Sequence, residues 1–237
     1  MNDLYCWETK FKSCCYSERL LTKLLLLNET AKQKIDILKI KKAIFYARKY
    51  HGSQKRQSGE PYYSHPLDVA YMVADHRLTT DVLVTCILHD TIEDTVLTKE
   101  MITTIFDSRI ANQVEDLTRI KKDRKISSAE MVELLWQQKK GELLLIKYFD
   151  RLHNMQTISA KSPKKIKQIT EETLKEFIIL GIWLGTIIPE MVEMENFTTK
   201  LCYKYLSIKF RLLKNQKNFC EDSFQLVFPD FQNDLIL

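Results

Sequence analysis

Apolar positions recur at helical spacing along most of the chain, and the stretches between them are polar or hold the scarce prolines and glycines. From 35 to 50, apolar residues stand at 37, 40, 44 and 47, which places them on one face of a helix. The segment 51–61, with Gly52, Gly59 and Pro61, reads as a loop. His65-Pro66 opens the next helix, with Pro66 in its first turn and Val69, Met72 and Val73 facing inward. Asp81 reads as the N-cap of an almost wholly apolar helix over 82–90, and that composition puts the helix in the middle of the core. Further helices are expected over 98–106, near 111–118, over 128–139, over 142–155 after Gly141, and over 164–187 after Ser162-Pro163. Residues 119–125 read as a polar loop, 190–213 as a helix basic on one face, and 214–237 as a weakly ordered tail. An amphipathic stretch near 17–28 lies in an N-terminal extension of 1–34, before a main domain of 35–195 and a C-terminal helix and tail of 196–237.

Composition supports the helical reading. Gly and Pro number 5 each in 237 residues, well below the usual combined share of about 12%. Sheets with tight turns need those residues, whereas helices joined by polar loops do not, so the expected fold class is all-α. A net charge of +5 suits a polyanionic small molecule better than duplex nucleic acid, which calls for a stronger basic stripe. The six cysteines include no Cys-x-x-Cys pair, and Cys14 and Cys15 are adjacent, so a reducing, cytoplasmic setting is expected. The apolar run 24–27 is too short to span a bilayer, and no transmembrane segment is expected. The oligomeric state is left open.

The candidate chemistry concentrates in His65, His89-Asp90-Thr91-Ile92-Glu93-Asp94 and Asp150. On a continuous helix, His89 would share a face with Glu93, and Asp90 with Asp94. His65, His89, Asp90 and Asp150 together supply two nitrogen and two oxygen donors, a set suited to a divalent ion. Manganese fits best, with iron and zinc as alternatives, and thiolate ligation is set aside because no cysteine lies near the motif. Such an ion polarises a phosphoryl group and acidifies bound water. Of Glu93 and Asp94, one can position or deprotonate that water and the other can protonate a leaving oxygen. Two neighbouring carboxylates of this kind are expected to have separated pKa values. Each fragment has a structural reading when taken alone. His65-Pro66 can simply start a helix, and Asp150-Arg151 can be an ion pair on one. The combination points to phosphate-bond hydrolysis.

The stretches Arg56-Gln57-Ser58-Gly59-Glu60-Pro61-Tyr62-Tyr63-Ser64-His65-Pro66, Leu88-His89-Asp90-Thr91-Ile92-Glu93-Asp94-Thr95, Asp150-Arg151-Leu152-His153-Asn154-Met155 and Glu172-Thr173-Leu174 resemble the HD-superfamily hydrolase domain of the RelA/SpoT guanosine-tetraphosphate enzymes. The resemblance spans about 40–185. It implies manganese on His65, His89, Asp90 and Asp150, and catalysis by Glu93 and Asp94. It implies a guanine-nucleotide pocket in which Arg56 stacks on the base, lined by Ser58, Asn154 and Thr157. The reaction it implies is removal of pyrophosphate from the ribose 3′ position, leaving GDP or GTP. Ser58 also reads as a turn residue, and Thr157 as a side chain bonded back within its own helix. The sequence departs from the family pattern at Gln57, where a Lys is common, at Tyr148-Phe149, at Gln156, and at Ile179 with Gly181-Ile182-Trp183. The absence of room for a synthetase domain after Pro189 makes a hydrolase-only protein the expectation. The alternatives are an HD-type phosphohydrolase of another nucleotide, such as NADPH or a deoxynucleotide, and an alarmone-binding module with weakened turnover. A docking role for the basic segment 197–217 is a further, thinner reading.

Overall fold

Helix α5 (Thr80–Leu88) forms the centre of the core. Every side chain from Val82 to Leu88 is buried, and the helix is in contact with α3 (Ile37–His51), α4 (Ser64–Val73), α8 (Ser108–Leu117) and α10 (Gly141–Gln156). Val82, Val84, Thr85 and Ile87 are β-branched and weak helix formers, so burial on all sides rather than local propensity holds this segment helical. Each such aliphatic side chain contributes about 1.5–3 kcal/mol when fully buried.

The computed structural model describes residues 6–77, 79–121, 124–187, 197–198 and 200–202. Around α5 stand α1 (Trp7–Lys10), α2 (Cys15–Thr30), the single turn α6 (Thr91–Asp94), α7 (Lys99–Ile105) and α9 (Ser128–Gln137). Beyond α10 come a short 3-10 turn, α11 (Pro163–Glu172), a π-helical turn over Thr173–Phe177, and α12 (Ile178–Ile187). The protein is thus mostly helical, as the sequence leads one to expect. Side-chain caps set several helix starts: Asp36, Thr98, Asp107 and Ser127 each accept a bond from the backbone N–H three residues on. Pro163 stands in the first turn of α11, where its missing N–H costs nothing.

Three local expectations change. Asp81 is not a cap: Thr79 holds that position, and the Asp81 carboxylate takes ion pairs from Lys39 at 3.0 Å and Arg109 at 3.3 Å. Residues 119–125 are not a plain loop. The strands β1 (Ile120–Lys121) and β2 (Arg124–Lys125) pair antiparallel, with Ile120 opposite Lys125. The helix expected over 164–187 contains a π turn. The expected helix over 190–213 and tail over 214–237 fall mostly outside the described residues, as does Cys220.

The N-terminal segment packs on the main body. Leu20, Leu21 and Leu24 of α2 enter the central core. On the same helix Arg19 pairs with Asp68 at 3.1 Å, and Lys23 pairs with Asp75 while donating to the Tyr71 carbonyl, both at 2.6 Å. Helix α2 is therefore clamped along α4, which carries His65. Among the described residues no two cysteines are joined, and no helix is long and apolar enough to cross a membrane.

Candidate active site

The expected continuous helix over 82–90 and beyond does not form. Helix α5 stops at Leu88, and Asp90, with φ −107° and ψ −2°, turns the chain before α6. Side chains close the end of α5: the His89 ring faces the Cys86 carbonyl at 2.8 Å through Nδ1, and Thr91 Oγ1 donates to the Leu88 carbonyl at 2.7 Å. With Nδ1–H donating to that carbonyl, the lone pair of His89 lies on Nε2, which points toward Asp150. The break also changes the expected pairing of faces. Glu93 turns toward the hairpin and Asp94 toward Tyr62, instead of lying under His89 and Asp90.

His65 from α4, His89 from the end of α5 and Asp150 from α10 bring one donor atom each within 4.8 Å of one another. His65 Nε2 lies 3.0 Å from Asp150 Oδ1, and His89 Nε2 lies 3.9 Å from the same oxygen. Asp90 is adjacent but outside this group. His51 Nε2 meets its Oδ1 at 3.2 Å, while its Oδ2 is buried with no hydrogen-bond partner. An orphaned buried carboxylate oxygen beside two imidazoles and a second carboxylate is a donor set that fits a divalent cation. The expectation that no thiol lies nearby needs correction. Cys86 is buried directly behind the motif, but burial pushes its thiol well above the ordinary range, so it remains a protonated core residue.

Electrostatics separate the groups. Burial alone would raise Asp150, yet the Lys147 ammonium at 2.7 Å and the two imidazoles hold its carboxyl well below the usual range. Burial raises Glu93 too, but Lys125 at 2.7 Å and Arg119 at 2.8 Å outweigh it and hold the carboxyl down. Asp94 goes the other way. Burial and the nearby charges of Asp90 and Glu93 raise it, although Tyr62 donates to it at 2.6 Å. The expected divergence of the two carboxylates is thus present, with Asp94 above its ordinary value and Glu93 below.

Burial also keeps His65 neutral, with its pKa pushed down to about 4. An unfolded histidine titrates near 6.5, so on acidification the unfolded chain takes up this proton first. The folded-state value is depressed, so the stabilisation is present above the unfolded value and is lost as pH falls toward the folded one. Between pH 7 and pH 5 the metal-free protein is expected to lose about 2 kcal/mol through His65. His51 has the opposite sign: burial would lower it, but its bond to Asp90 raises it. Urea unfolding of the stripped wild-type protein and a His65→Gln variant at both pH values isolates the effect. Equal pH slopes in the two proteins would contradict it.

A polar cavity of about 380 Å³ opens above these groups. His65, His89, Asp90, Asp150, Glu93 and Asp94 line it together with the cationic Lys55, Arg56, Arg119, Arg151, Lys161 and Lys165. Of the expected nucleotide-pocket residues, Arg56 and Asn154 line the cavity. Arg56 Nη2 donates to Asn154 Oδ1 at 3.3 Å and to Thr157 Oγ1 at 3.1 Å, and Asn154 Nδ2 donates to Asp150 Oδ1 at 2.7 Å. Thr157 also bonds back to the His153 carbonyl at 3.0 Å, so its role in the structure is to hold Arg56. Ser58 is not among the lining residues; its hydroxyl meets Glu60 at 3.4 Å in an exposed turn. Among the departures from the family pattern, Gln57 lines the cavity, Tyr148 and Phe149 are buried in the core, and Gln156 is exposed. The side chains of Ile179 and Trp183 lie outside the described residues.

Sequence reasoning missed His51, Lys147, His153 and Tyr62 as contributors, and read Arg119 only as part of a polar loop. Lys147 was within reach: 147, 150 and 154 follow helical spacing, so both neighbours of Asp150 could be anticipated on its own face. His51 carried no such signal, because its partner is 39 residues away.

The HD domain family matches residues 43–187. The chain is 38% identical over 174 residues to a GTP pyrophosphokinase rsh of Brucella ovis, covering 71% of this chain and 22% of that protein. It is 33% identical over 201 residues to a guanosine-3′,5′-bis(diphosphate) 3′-pyrophosphohydrolase of Aquifex aeolicus, covering 83% of this chain and 29% of that one. The chain thus spans less than a third of the length of these curated relatives. A solved structure described as a metazoan ortholog of SpoT shares the fold, with a TM-score of 0.52 and 21% identity over 63% of this chain and 88% of that one. The break that turns His89 toward Asp150 falls inside the matched span, and the chain belongs to the HD-domain family, with RelA/SpoT-type matches over the HD region.

Proposed function

We propose that this domain hydrolyses the 3′-pyrophosphate of guanosine tetra- or pentaphosphate, giving GDP or GTP and pyrophosphate. The observation that carries the reading is the convergence of His65, His89 and Asp150 beneath a cavity rich in cations, in a chain whose relatives include a protein named for this hydrolysis. His65, His89, Asp150 and the free oxygen of Asp90 would hold a divalent ion, with manganese favoured over iron or zinc. When bound, the ion would polarise the phosphoryl group and acidify a water.

The chain's own residues supply the rest. Asp94, raised by its surroundings, is the carboxylate suited to take the proton from the attacking water. Glu93 stays anionic, held by Lys125, and fixes Arg119 at the cavity, where it can meet phosphate oxygens. Water adds to phosphorus as Asp94 takes its proton, the bond from phosphorus to the ribose 3′-oxygen breaks, and the proton held on Asp94 passes to that oxygen. Arg56 presents a guanidinium plane held by Asn154 and Thr157, a suitable surface for a purine.

Incubation of the purified chain with manganese and a panel of guanosine tetraphosphate, NADPH and deoxynucleotides tests the substrate. Pyrophosphate and GDP from the alarmone are expected. Cleavage of a deoxynucleotide or NADPH without cleavage of the alarmone would replace this reading with another HD-type phosphohydrolase. Tight alarmone binding, with turnover no higher than in a Glu93→Gln, Asp94→Asn double variant, would replace it with a binding module. Within the panel, Arg56→Ala is expected to raise KM about tenfold with kcat nearly unchanged, the size of one lost cation–π contact. An unchanged KM would remove Arg56 from the base site.

A further inference from the structure

His65 does not stand alone behind the cavity. Its Nδ1 lies 2.9 Å from Nδ1 of the buried His153, whose Nε2 lies 3.5 Å from Asp68 Oδ2. Asp68 Oδ1 in turn accepts from Arg19 Nη1 at 3.1 Å. These four side chains form one line from α2 through α4 and α10 to the proposed metal ligand.

We propose that Asp68 and His153 are positioning residues that select the metal-competent tautomer of His65, and that α2, which lies outside the matched span, completes this support through Arg19. The inference rests on the metal reading above. Between two imidazole nitrogens in contact, one must donate and the other accept. If His65 keeps its proton on Nε2, its Nδ1 accepts from His153 Nδ1–H, and the bare His153 Nε2 then faces the Asp68 carboxylate. That places a lone pair against an anion. If His65 carries its proton on Nδ1, it donates to His153, and His153 Nε2–H faces Asp68. With one proton on each ring, only this second arrangement satisfies Asp68, and it turns the His65 Nε2 lone pair toward Asp150 Oδ1 at 3.0 Å, a contact that a cation held between them would relieve. His89 reaches the same state by a different route, donating Nδ1–H to the Cys86 carbonyl. The two imidazoles would thus be set by a main-chain carbonyl in one case and a carboxylate relay in the other. Such outer partners commonly change metal affinity by 10–100-fold.

Manganese titration of the metal-stripped protein, read by competition with a chelating indicator, tests this without any substrate. Asp68→Asn is expected to weaken manganese binding about tenfold, because an amide can donate to His153 Nε2 and stabilise the wrong tautomer. Long-range 15N correlations in the stripped protein should show a smaller share of His65 protonated at Nδ1. Arg19→Gln is expected to weaken binding about two- to threefold, in line with an exposed ion pair. Lys23→Gln removes the neighbouring clamp on Asp75 and the Tyr71 carbonyl, which braces α4 without touching the line from Asp68 through His153 to His65, and should leave affinity unchanged. If Arg19→Gln and Lys23→Gln weaken binding equally, α2 acts only as a structural brace. If Asp68→Asn binds within twofold of wild type, the tautomer role is wrong while the metal reading stands. If the wild-type chain itself takes up no divalent ion, both fall together. Thermal unfolding of each stripped variant separates a damaged fold from a lost orientation.

Discussion

Asp150→Asn is expected to lower release of 3′-pyrophosphate at least about a thousandfold and to destabilise the metal-free fold by about 3 kcal/mol. Both effects follow from one carboxylate with several jobs. Its Oδ1 meets His65 and accepts from Asn154, and its Oδ2 accepts from the buried Lys147. As an anion it balances the Lys147 ammonium, whose side chain is only 8% exposed. An asparagine keeps the shape but brings no charge, so the ammonium is left buried and unbalanced, the costly way to break such a pair. The same change removes the proposed anionic ligand between two neutral imidazoles, and with it the charge that would draw a cation to this point. Urea unfolding of the stripped protein reads the first effect, and metal content with single-turnover hydrolysis reads the second. A variant that keeps full metal occupancy and turns over within tenfold of wild type would show that Asp150 is a structural partner of Lys147 and no more.

The difference between what the sequence revealed and what it concealed follows interaction range. The helices around 37–51 and 80–88 were legible because burial of one face, or of all faces, leaves a periodic or continuous apolar record. The proposed ligands were legible because histidine and aspartate are chemically conspicuous, His65 and His89-Asp90 at helix ends and Asp150 within the largely buried α10. The break at His89 was not legible. It depends on side chains that satisfy the last carbonyls of α5, and a run that includes His-Asp-Thr scans as continuing helix. The misreading of Asp81 has the same origin. A carboxylate at a helix start looks like a cap, but Lys39 and Arg109 from other helices claim it. The paired strands β1 and β2 lack the alternating apolar pattern of a buried strand, and what anchors their base is the bond from Arg119 to Glu93, 26 residues earlier in the chain. Ser58 is the clearest case in which resemblance supplied a residue that the geometry does not bring to the cavity.

The second large effect lies in the carboxylate pair, and the structure divides what the sequence left interchangeable. Asp94→Asn is expected to lower kcat between about a hundredfold and ten-thousandfold, the range for loss of a positioned proton acceptor. Asp94 must be ionised to accept a proton, so the wild-type rate should fall as pH drops through its raised pKa. A bound cation would draw that value partly back toward the ordinary carboxylate range, and the acid limb should still lie above that range. In Asp94→Asn that limb should vanish, leaving a low and nearly flat rate on the acid side. Tyr62→Phe should shift the limb further toward neutral pH, since the Tyr62 hydroxyl is the hydrogen bond that pulls Asp94 down. Glu93→Gln should behave differently. Glu93 is held anionic by Arg119 and Lys125, so its proton affinity is too low for the same task. Its loss frees Arg119 from its place at the cavity, which should raise KM for a polyanionic substrate and lower kcat while leaving the acid limb where it was. Rate–pH profiles of the three variants under saturating manganese discriminate the roles. If Glu93→Gln abolishes the acid limb and Asp94→Asn keeps it, the assignment of base and anchor is reversed.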